Sequence, residues 1–213
     1  KPLYQRAIIV AAGPFANFIL AIFIFLFMYM SVGKDFTPAV IDEVQIDSPA
    51  MTAGFKKNDI ILSIDGTSVN SILDVSKLIT MSTGDDIKFV LSRYDQEVNL
   101  KVIPNTIETV DNLGNKMNKR LIGIKLRPPN DEINHQRLGP IKALYYSLNE
   151  VYFVASSSLN YLGSIIVGKG DSSQLGGPIR IAKVSGQVAE FGILPFINMM
   201  AYISISLGLI NLF

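Results

Sequence analysis

The sequence lacks the residues with which proteins most often build disulfides and metal sites. It has 213 residues, no cysteine and a single histidine, His135. Without cysteine, neither a disulfide framework nor a thiolate metal site can form. A zinc site needs several His, Cys or carboxylate ligands, so we do not expect this chain to build one alone. We interpret His135 as a loop residue.

Charge is also scarce. Only 17% of the residues are charged and the formal net charge is +1, which gives no electrostatic argument for nucleic acid as a partner. Hydrophobic residues make up 49% of the sequence. This combination is typical of a protein that is partly in a membrane and partly soluble.

Two long runs, residues 7–32 and 193–213, contain no charged residue. About 20 apolar residues cross the hydrocarbon core of a bilayer, so we predict a transmembrane helix in each run. Lys1 and Arg6 precede the first run, and basic flanks tend to stay in the cytoplasm. The middle of the chain is therefore expected outside the cytoplasm. Because the chain begins without methionine and stops inside an apolar run, we expect it to be an excerpt of a longer protein.

The first run contains a polar and flexible point around Gly13, Pro14 and Asn17. Pro14 has no N–H to donate to the Val10 carbonyl, which loosens the helix where another segment could approach. At helical spacing Gly13, Asn17 and Ala21 share one face, and small residues there favour close helix packing. An amide at membrane depth tends to face a protein interior or a wet cavity. Asn17 is therefore either a packing residue or a donor to a substrate backbone.

Between the two runs the sequence is that of a soluble domain with short strands, and residues 112–119 are rich in turn formers. The residues from Ser48 to Gly66 read Ser-Pro-Ala-Met-Thr-Ala-Gly-Phe-Lys-Lys-Asn-Asp-Ile-Ile-Leu-Ser-Ile-Asp-Gly. A serine cap, proline in the first turn and a final glycine predict a short helix at the start of this stretch. Apolar patterns predict strands over 38–44, 59–65, 87–92, 97–103 and 121–126, and helices over 48–54 and 71–81.

The stretch from Ser48 to Gly66 resembles the core signature of bacterial PDZ domains, and the resemblance covers most of residues 37–104. It implies a β-sandwich or barrel in which the edge of the strand over 39–44 and the helix over 71–81 form a groove. Peptide or protein C-termini would add there as an extra strand. The candidate groove residues are Val40, Val75, Leu78 and Ile79, and ordinary core positions are the alternative for each.

Residues 138–168 separate into a polar and an apolar side when projected on a helix. Glu150 at the centre of a bilayer would cost about 2.5 kcal/mol or more. We therefore predict an amphipathic helix that lies on the membrane or against the soluble domain. A shorter helix is predicted from Pro178 to about Glu190.

The ordered combination of these features resembles the RseP-type bacterial members of the site-2 protease family. It consists of Gly-Pro-x-x-Asn in the first run, a PDZ insertion, Gly-Gly-Pro-Ile-x-Ile-Ala at 176–182 and Ser-x-x-Leu-Ile-Asn-Leu-Phe at 206–213. The resemblance implies an intramembrane zinc metalloprotease, an enzyme of regulated intramembrane proteolysis in the bacterial inner membrane. It would be a multi-pass protein with its PDZ domain in the periplasm. Its partners would be the lipid bilayer and transmembrane substrates such as anti-sigma factors.

The same resemblance assigns roles to individual residues. Asn17, with Gly13 and Pro14, and Asn211 match positions implicated in substrate binding, and Ser206 stands where some members have another asparagine. The helix over 141–168 and the one after Pro178 match a region that gates substrate entry. The family's zinc ligands lie in His-Glu-x-x-His and Leu-Asp-Gly segments that this chain does not contain. Catalytic and metal residues are therefore expected outside it.

The predicted fold class is α+β, with transmembrane helices flanking a PDZ-like domain that is followed by amphipathic helices. The predicted domains are residues 1–34, 35–129, 130–192 and 193–213. The alternative function is a membrane-anchored PDZ peptide-binding protein without proteolytic activity. A transporter is disfavoured, since the sequence shows neither paired inverted halves nor an intramembrane charge pair.

Overall fold

The computed structural model describes residues 2–110, 116–168 and 178–212. The chain divides into two compact units, one made of residues 1–34 and 137–213 and the other of residues 35–136. We call them the helical unit and the PDZ-like unit and describe each by itself. The four-part division predicted from the sequence remains a prediction.

The helices and strands alternate along the chain in the manner of a mixed α and β protein. The helices are α1 (Leu3–Ser31), α2 (Pro49–Ala53), α3 (Ile72–Met81), α4 (Pro140–Ile166), α5 (Pro178–Glu190) and α6 (Ile193–Ile210). The strands are β1 (Lys34–Asp35), β2 (Ala39–Val44), β3 (Ile60–Ile64), β4 (Thr67–Ser68), β5 (Ile87–Arg93), β6 (Gln96–Val102), β7 (Asn105–Val110), β8 (Lys116–Leu121), β9 (Ile124–Arg127) and β10 (His135–Gln136).

The main sheet of the PDZ-like unit has the strand order β6-β5-β3-β2-β9, and β4 adds to β3. Its neighbouring strands are antiparallel. The two outer strands, β6 and β9, do not pair with each other, so the described strands leave the sheet open. The closed barrel that we considered as one form of the predicted domain is therefore wrong. β7 pairs with β8, and β1 pairs with β10.

The two helices of the PDZ-like unit begin and end where their caps predict. The Ser48 hydroxyl accepts a hydrogen bond from the Met51 N–H at 3.2 Å, and Gly54 ends α2 with a φ of 89°. In α3 the Ser71 hydroxyl accepts from the Asp74 N–H, and the Asp74 carboxylate accepts from the Ser71 N–H. These caps satisfy N–H groups that have no partner within the helix. The helices predicted over 48–54 and 71–81 are confirmed.

The core of the PDZ-like unit lies under β5, where apolar and polar residues alternate. Ile87, Phe89 and Leu91 are fully buried, and the Phe55 ring meets the Phe89 ring edge-on with centroids 5.1 Å apart. Burying one such side chain stabilises a fold by about 1.5–3 kcal/mol. The β5–β6 hairpin turns at Tyr94 and Asp95, as the alternating pattern predicts.

The segment after this hairpin differs from the sequence prediction. Where a turn-rich stretch and one strand over 121–126 are predicted, β7 and β8 form a second hairpin, and β9 follows after a break at Gly123. Gly123 has a φ of +81°, and a Cβ there would lie 2.3 Å from the Ser48 Cβ. A glycine is therefore required where β8 gives way to β9. Residues 112–115 of the predicted turn-rich stretch lie outside the described residues.

In the helical unit α1 and α6 pack in opposite directions. Gly208 of α6 lies beside Pro14, and the Ser204 hydroxyl donates a hydrogen bond to the Asn17 carbonyl at 2.8 Å. Two residues before Ser204 on α6, the Tyr202 ring lies 5.5 Å from the Phe25 ring. Two described segments are long and apolar enough to cross a membrane by length and composition, Ala12–Ser31 of α1 and Ile193–Ile210 of α6.

The helix α4 packs against both α1 and α6. Val151 and Val154 belong to one buried cluster with Ala21 and Phe25 of α1 and with Ala201, Ile205 and Leu209 of α6. The placement of this helix on the membrane or against the soluble domain stays a prediction. The sequence pattern gives the buried face of a helix and not its partner. Here the partners are the two apolar helices.

Candidate functional site

Asn17 lies on α1 three residues after Pro14, where α6 crosses. Its backbone carbonyl accepts the Ser204 hydroxyl, which joins the two helices at this level. Its side chain is partly exposed, and no described residue is hydrogen-bonded to its amide. Both the donor and the acceptor of that amide are therefore available to a ligand.

Asn211 ends α6, and its N–H donates to the Leu207 carbonyl at 3.0 Å. It follows Ser204 by two helical turns, so both residues lie on one face of α6 and about 10 Å apart along its axis. Ser204 contacts the Asn17 carbonyl, and this contact relates the positions of Asn17 and Asn211 along the α1–α6 pair.

Close approach of α6 to α1 depends on Gly208. A Cβ at this position would lie 3.2 Å from the Pro14 carbonyl oxygen and 3.2 Å from the Phe18 ring. The sequence analysis missed both Gly208 and Ser204. Their spacing from Ala201 forms the small-residue pattern of packed membrane helices, which could have revealed them.

The glycine predicted to pack, Gly13, behaves differently. Nothing lies within 4 Å of the position that a Cβ would occupy on it. In contrast Ala21, on the same predicted strip, is fully buried. On the face that Gly13 shares with Ala21, the described residues therefore pack against Ala21. Gly13 leaves space one turn before the Asn17 amide.

The polar groups in this region are the side-chain amides of Asn17 and Asn211, the Ser204 hydroxyl and backbone carbonyls. Zinc in proteins is bound by imidazole, thiolate and carboxylate groups. The described residues contain no group of three or more His, Cys, Asp or Glu that could hold a metal ion. His135 is exposed on β10 in the PDZ-like unit. The described residues around Asn17 therefore do not fit a zinc ion, and their polar groups can donate and accept hydrogen bonds.

The strand predicted to be the open edge of the PDZ groove is an interior strand. β2 pairs with β3 through Ala39 and Val40 and with β9 through Val40 to Val44. Its backbone is therefore not available along an open edge, and the assignment of residues 39–44 as the groove edge is wrong. The strand at this edge of the sheet is β9. Its partner residues on β2 lie 80 or more positions earlier in the sequence, so no local sequence pattern indicates this pairing.

β9 is attached to β2 by charge as well as by backbone pairing. The Lys125 ammonium lies 2.6 Å from the Glu43 carboxylate, and this ion pair raises the pKa of Lys125. The Gln45 N–H donates to the Gly123 carbonyl at 2.9 Å. These contacts hold β9 in register next to β2.

α3 lies over the sheet and contacts β2, β3 and β8. The candidate groove residues on it, Val75, Leu78 and Ile79, are buried, and so is Val40 on β2. Burial at this level is what a core position shows, so their role in a groove remains a prediction. Leu73, on the same helix, is 72% exposed.

Arg120 of β8 joins the end of α3 to the hairpin that precedes β9. Its guanidinium donates to the Ser82 and Gly84 carbonyls just beyond α3. Burial lowers the pKa of Arg120, while Asp65 and Asp85 act in the opposite direction. A cation at this position also complements the negative end of the helix dipole.

The sequence matches the profile of peptidase family M50 over residues 1–213. Two similar proteins, predicted zinc metalloproteases of Agrobacterium fabrum and Rhizobium meliloti, are 38% and 37% identical over 99% of this chain and 56% of each relative. The metalloprotease MmpA of Caulobacter vibrioides is 30% identical over 89% of this chain and 47% of its own length. The chain thus spans about half the length of the curated relatives that it matches.

Among solved structures, the chain is similar to PDZ domains of SdrC-like proteins from Listeria monocytogenes and Listeria innocua. The identities are 24% and 22%, and the TM-score is 0.33 in both cases. The matches cover 41% and 47% of this chain and 85% and 99% of those domains. Since the family profile covers all of its residues, the chain belongs to peptidase family M50, in agreement with its resemblance to site-2 proteases.

Proposed function

We propose that the whole protein is an intramembrane zinc metalloprotease and that this chain is the part that handles the substrate. The observation that carries the proposal is the Asn17 amide, which has no described hydrogen-bond partner and lies in an apolar helix. An amide without a partner at membrane depth is costly unless it serves a ligand. Zinc ligands would come from the rest of the protein, and zinc would supply an activated water.

The substrate of such an enzyme has to be unwound before it is cut. A transmembrane helix uses its backbone carbonyls in internal hydrogen bonds, and in lipid nothing else satisfies them. An amide side chain offers one acceptor and two donor protons, and can replace those bonds when the helix opens. Asn17 is suited to that role, and Gly13 leaves room beside it.

The spacing of the two amides defines how a substrate would lie. Asn211 lies about 10 Å along the axis of α6 from Ser204, which contacts the Asn17 carbonyl. An extended peptide rises about 3.3 Å per residue, so about three residues span this distance. We infer that an extended substrate segment runs along the α1–α6 face, with Asn17 at one end and Asn211 at the other. Between these two amides, Pro14 keeps the backbone of α1 close to Gly208 of α6.

The PDZ-like unit is proposed to control access of substrates. A peptide C-terminus would add to the open edge of β9 rather than to β2, because β2 is paired on both sides. Val75, Leu78 and Ile79 of α3, with Val40, remain the candidate side chains of this groove. Arg120 ties α3 to the hairpin before β9, so a ligand on β9 would act on α3 through this contact.

The setting follows from the charges around α1. Lys1 and Arg6 precede the span, which favours a cytoplasmic start and a periplasmic PDZ-like unit in a bacterial inner membrane. The substrates would be transmembrane proteins such as anti-sigma factors, cut in regulated intramembrane proteolysis. A membrane-anchored PDZ receptor without proteolysis is the second candidate, and the open edge of β9 favours it equally. Zinc content and peptide cleavage by the intact protein distinguish the two.

The proposal is tested by Asn17→Ala in the intact protein, reconstituted with a transmembrane substrate. Loss of one hydrogen bond to the substrate backbone is expected to lower the cleavage rate about tenfold or more, with unchanged protein level. Asn99→Ala is the matched control, since Asn99 is an exposed amide on β6, outside both candidate spans. Normal cleavage by Asn17→Ala would show that the amide does not hold the substrate.

A further inference from the structure

The position of α4 along α1 sets how deep α4 lies in a bilayer. The candidate span Ala12–Ser31 is about 30 Å long, which equals the hydrocarbon thickness, and its centre falls next to Ala21. Val151 and Val154 are packed in the same cluster as Ala21 and Phe25. If α1 crosses the bilayer, as the proposed function requires, this part of α4 is at the bilayer centre.

The ends of α4 fit the same placement. The Leu138 N–H donates to the Tyr29 carbonyl near the end of α1, so α4 starts at that end and runs back along α1. Its 27 residues extend over about 40 Å, which is longer than the hydrocarbon core. A surface helix would keep one depth along its whole length, whereas α4 starts at the level of Tyr29 and its middle packs in the cluster that contains Phe25 and Ala21.

Three polar side chains of α4 have hydrogen-bond partners within the helical unit, whereas Asn149 and Asn160 are exposed. Glu150 faces α6, where its carboxylate accepts the Tyr202 hydroxyl at 3.0 Å. The Ser147 and Ser164 hydroxyls donate to carbonyls of their own helix at 2.7 Å. Ionisable residues in a membrane face the helix bundle and pair there, which offsets the cost that argued against a buried Glu150.

The apolar side of α4 is not covered by the described residues of the helical unit. Its members share one helical face beside the face that packs against α1, with two of them four residues apart before Val151 and three at spacings of three and four residues after Val154. Acyl chains are the solvent that such a stripe requires at this depth. The stripe consists of Leu144, Leu148, Leu159, Leu162 and Ile166, each 38–86% exposed.

We propose that α4 is a membrane-embedded helix whose leucine stripe contacts lipid acyl chains. It runs antiparallel to α1, and α6 does so too, so α4 and α6 run in the same direction. α4 is then embedded rather than interfacial.

The experiment measures depth with single cysteines at Leu144, Tyr152 and Ile166 of the intact protein, in a background without other cysteines. Tyr152 lies between the two valines of the cluster and is 75% exposed, so a label there does not disturb the packing. Each site carries a bimane fluorophore in phosphatidylcholine vesicles that contain lipid brominated either near the glycerol or near the acyl-chain end. Phe23, exposed on α1, and Ile46, exposed in the PDZ-like unit, are the membrane and water controls.

An embedded α4 gives stronger quenching by the deep bromine than by the shallow one at Tyr152, equal to the result at Phe23. At Leu144 and Ile166 the shallow bromine quenches more, because each lies about 12 Å or more along the helix from Tyr152. Equal shallow quenching at all three sites, or none, overturns the proposal. Shallow quenching at Phe23 would instead reject the membrane span of α1 itself.

A second readout needs no bulky label. In the unlabelled Tyr152→Cys variant, the thiol is expected to resist a membrane-impermeant maleimide until detergent is added. The thiol of Ile46→Cys reacts from the start in protein whose PDZ-like unit faces the reagent. Rapid reaction at Tyr152 in intact vesicles would also overturn the embedded position.

Discussion

At the residue scale, one buried ion pair holds the loop between α2 and β3. Asp59 is 1% exposed, and both of its carboxylate oxygens lie 2.7 Å from the Arg93 guanidinium. The same carboxylate accepts the Lys56 N–H at 2.8 Å, and Arg93 also donates to the Gly54 carbonyl at 2.8 Å. Hydrogen bonding to Asp59 raises the pKa of Arg93, so the guanidinium stays charged.

We expect Arg93→Met to destabilise the PDZ-like unit by about 3–5 kcal/mol, because it leaves a buried carboxylate without its cation. Hydrogen exchange of the β3 and β5 amides in the intact protein measures this loss. Lys57→Met is the matched control, since Lys57 and Asp42 form an exposed pair that contributes about 1 kcal/mol or less. Similar losses in the two variants would mean that the Asp59 pair contributes little.

Also at this scale, Tyr202→Phe removes a single hydroxyl from the contact between α6 and α4. Hydrogen bonds between membrane helices contribute about 0.6 kcal/mol on average, so we expect a small loss of stability in detergent. Thermal unfolding followed by circular dichroism measures it. Tyr145→Phe removes a hydroxyl from an exposed ring of α4 and is the control. A loss in Tyr202→Phe no greater than in the control would contradict the role of the Glu150 contact.

At the element scale, the packing of α1 on α6 depends on one of two glycines. Gly208→Val places side-chain atoms against the Pro14 carbonyl and the Phe18 ring, where there is only 3.2 Å for a Cβ. We expect this overpacking to cost about 1–3 kcal/mol of stability in detergent. Gly13→Val meets nothing within 4 Å and should leave the melting temperature unchanged or raised. A greater loss in Gly13→Val than in Gly208→Val would reject the crossing point.

The elements that the sequence predicts are those with local signals. The caps of α2 and α3 and the alternation of β5 are readable because each depends on residues within one or two turns. β8 reads Lys-Met-Asn-Lys-Arg-Leu, which has no alternation, and the pairing of β9 with β2 is set by distant residues. The same holds at the site: Asn17 and Asn211 stand out as amides in apolar runs, whereas the contact of Ser204 with Asn17 requires the helix packing.

At the scale of the whole molecule, the PDZ-like unit is inserted between two parts of the helical unit through adjacent strands. β1 and β10 pair, and the Phe36 N–H donates to the Asn134 carbonyl at 2.8 Å. The two ends of the insertion are thus one strand spacing apart, and a short hairpin turn can join them. The helical unit can therefore be tested in its own protein without the insertion.

We expect that replacing residues 37–133 with an Asn-Gly turn leaves the helical unit folded, since its buried cluster draws only on α1, α4 and α6. If the PDZ-like unit limits access, the shortened intact protein should cleave a transmembrane substrate that still carries a large folded periplasmic domain. The unaltered protein should cleave only the trimmed substrate, and both proteins should cleave that one at similar rates. Asn17→Ala in the shortened protein should abolish cleavage of the large substrate, because the PDZ-like unit controls substrate entry and Asn17 binds the substrate after entry. If neither protein cleaved the large substrate, the helical unit and not the PDZ-like unit would limit substrate size.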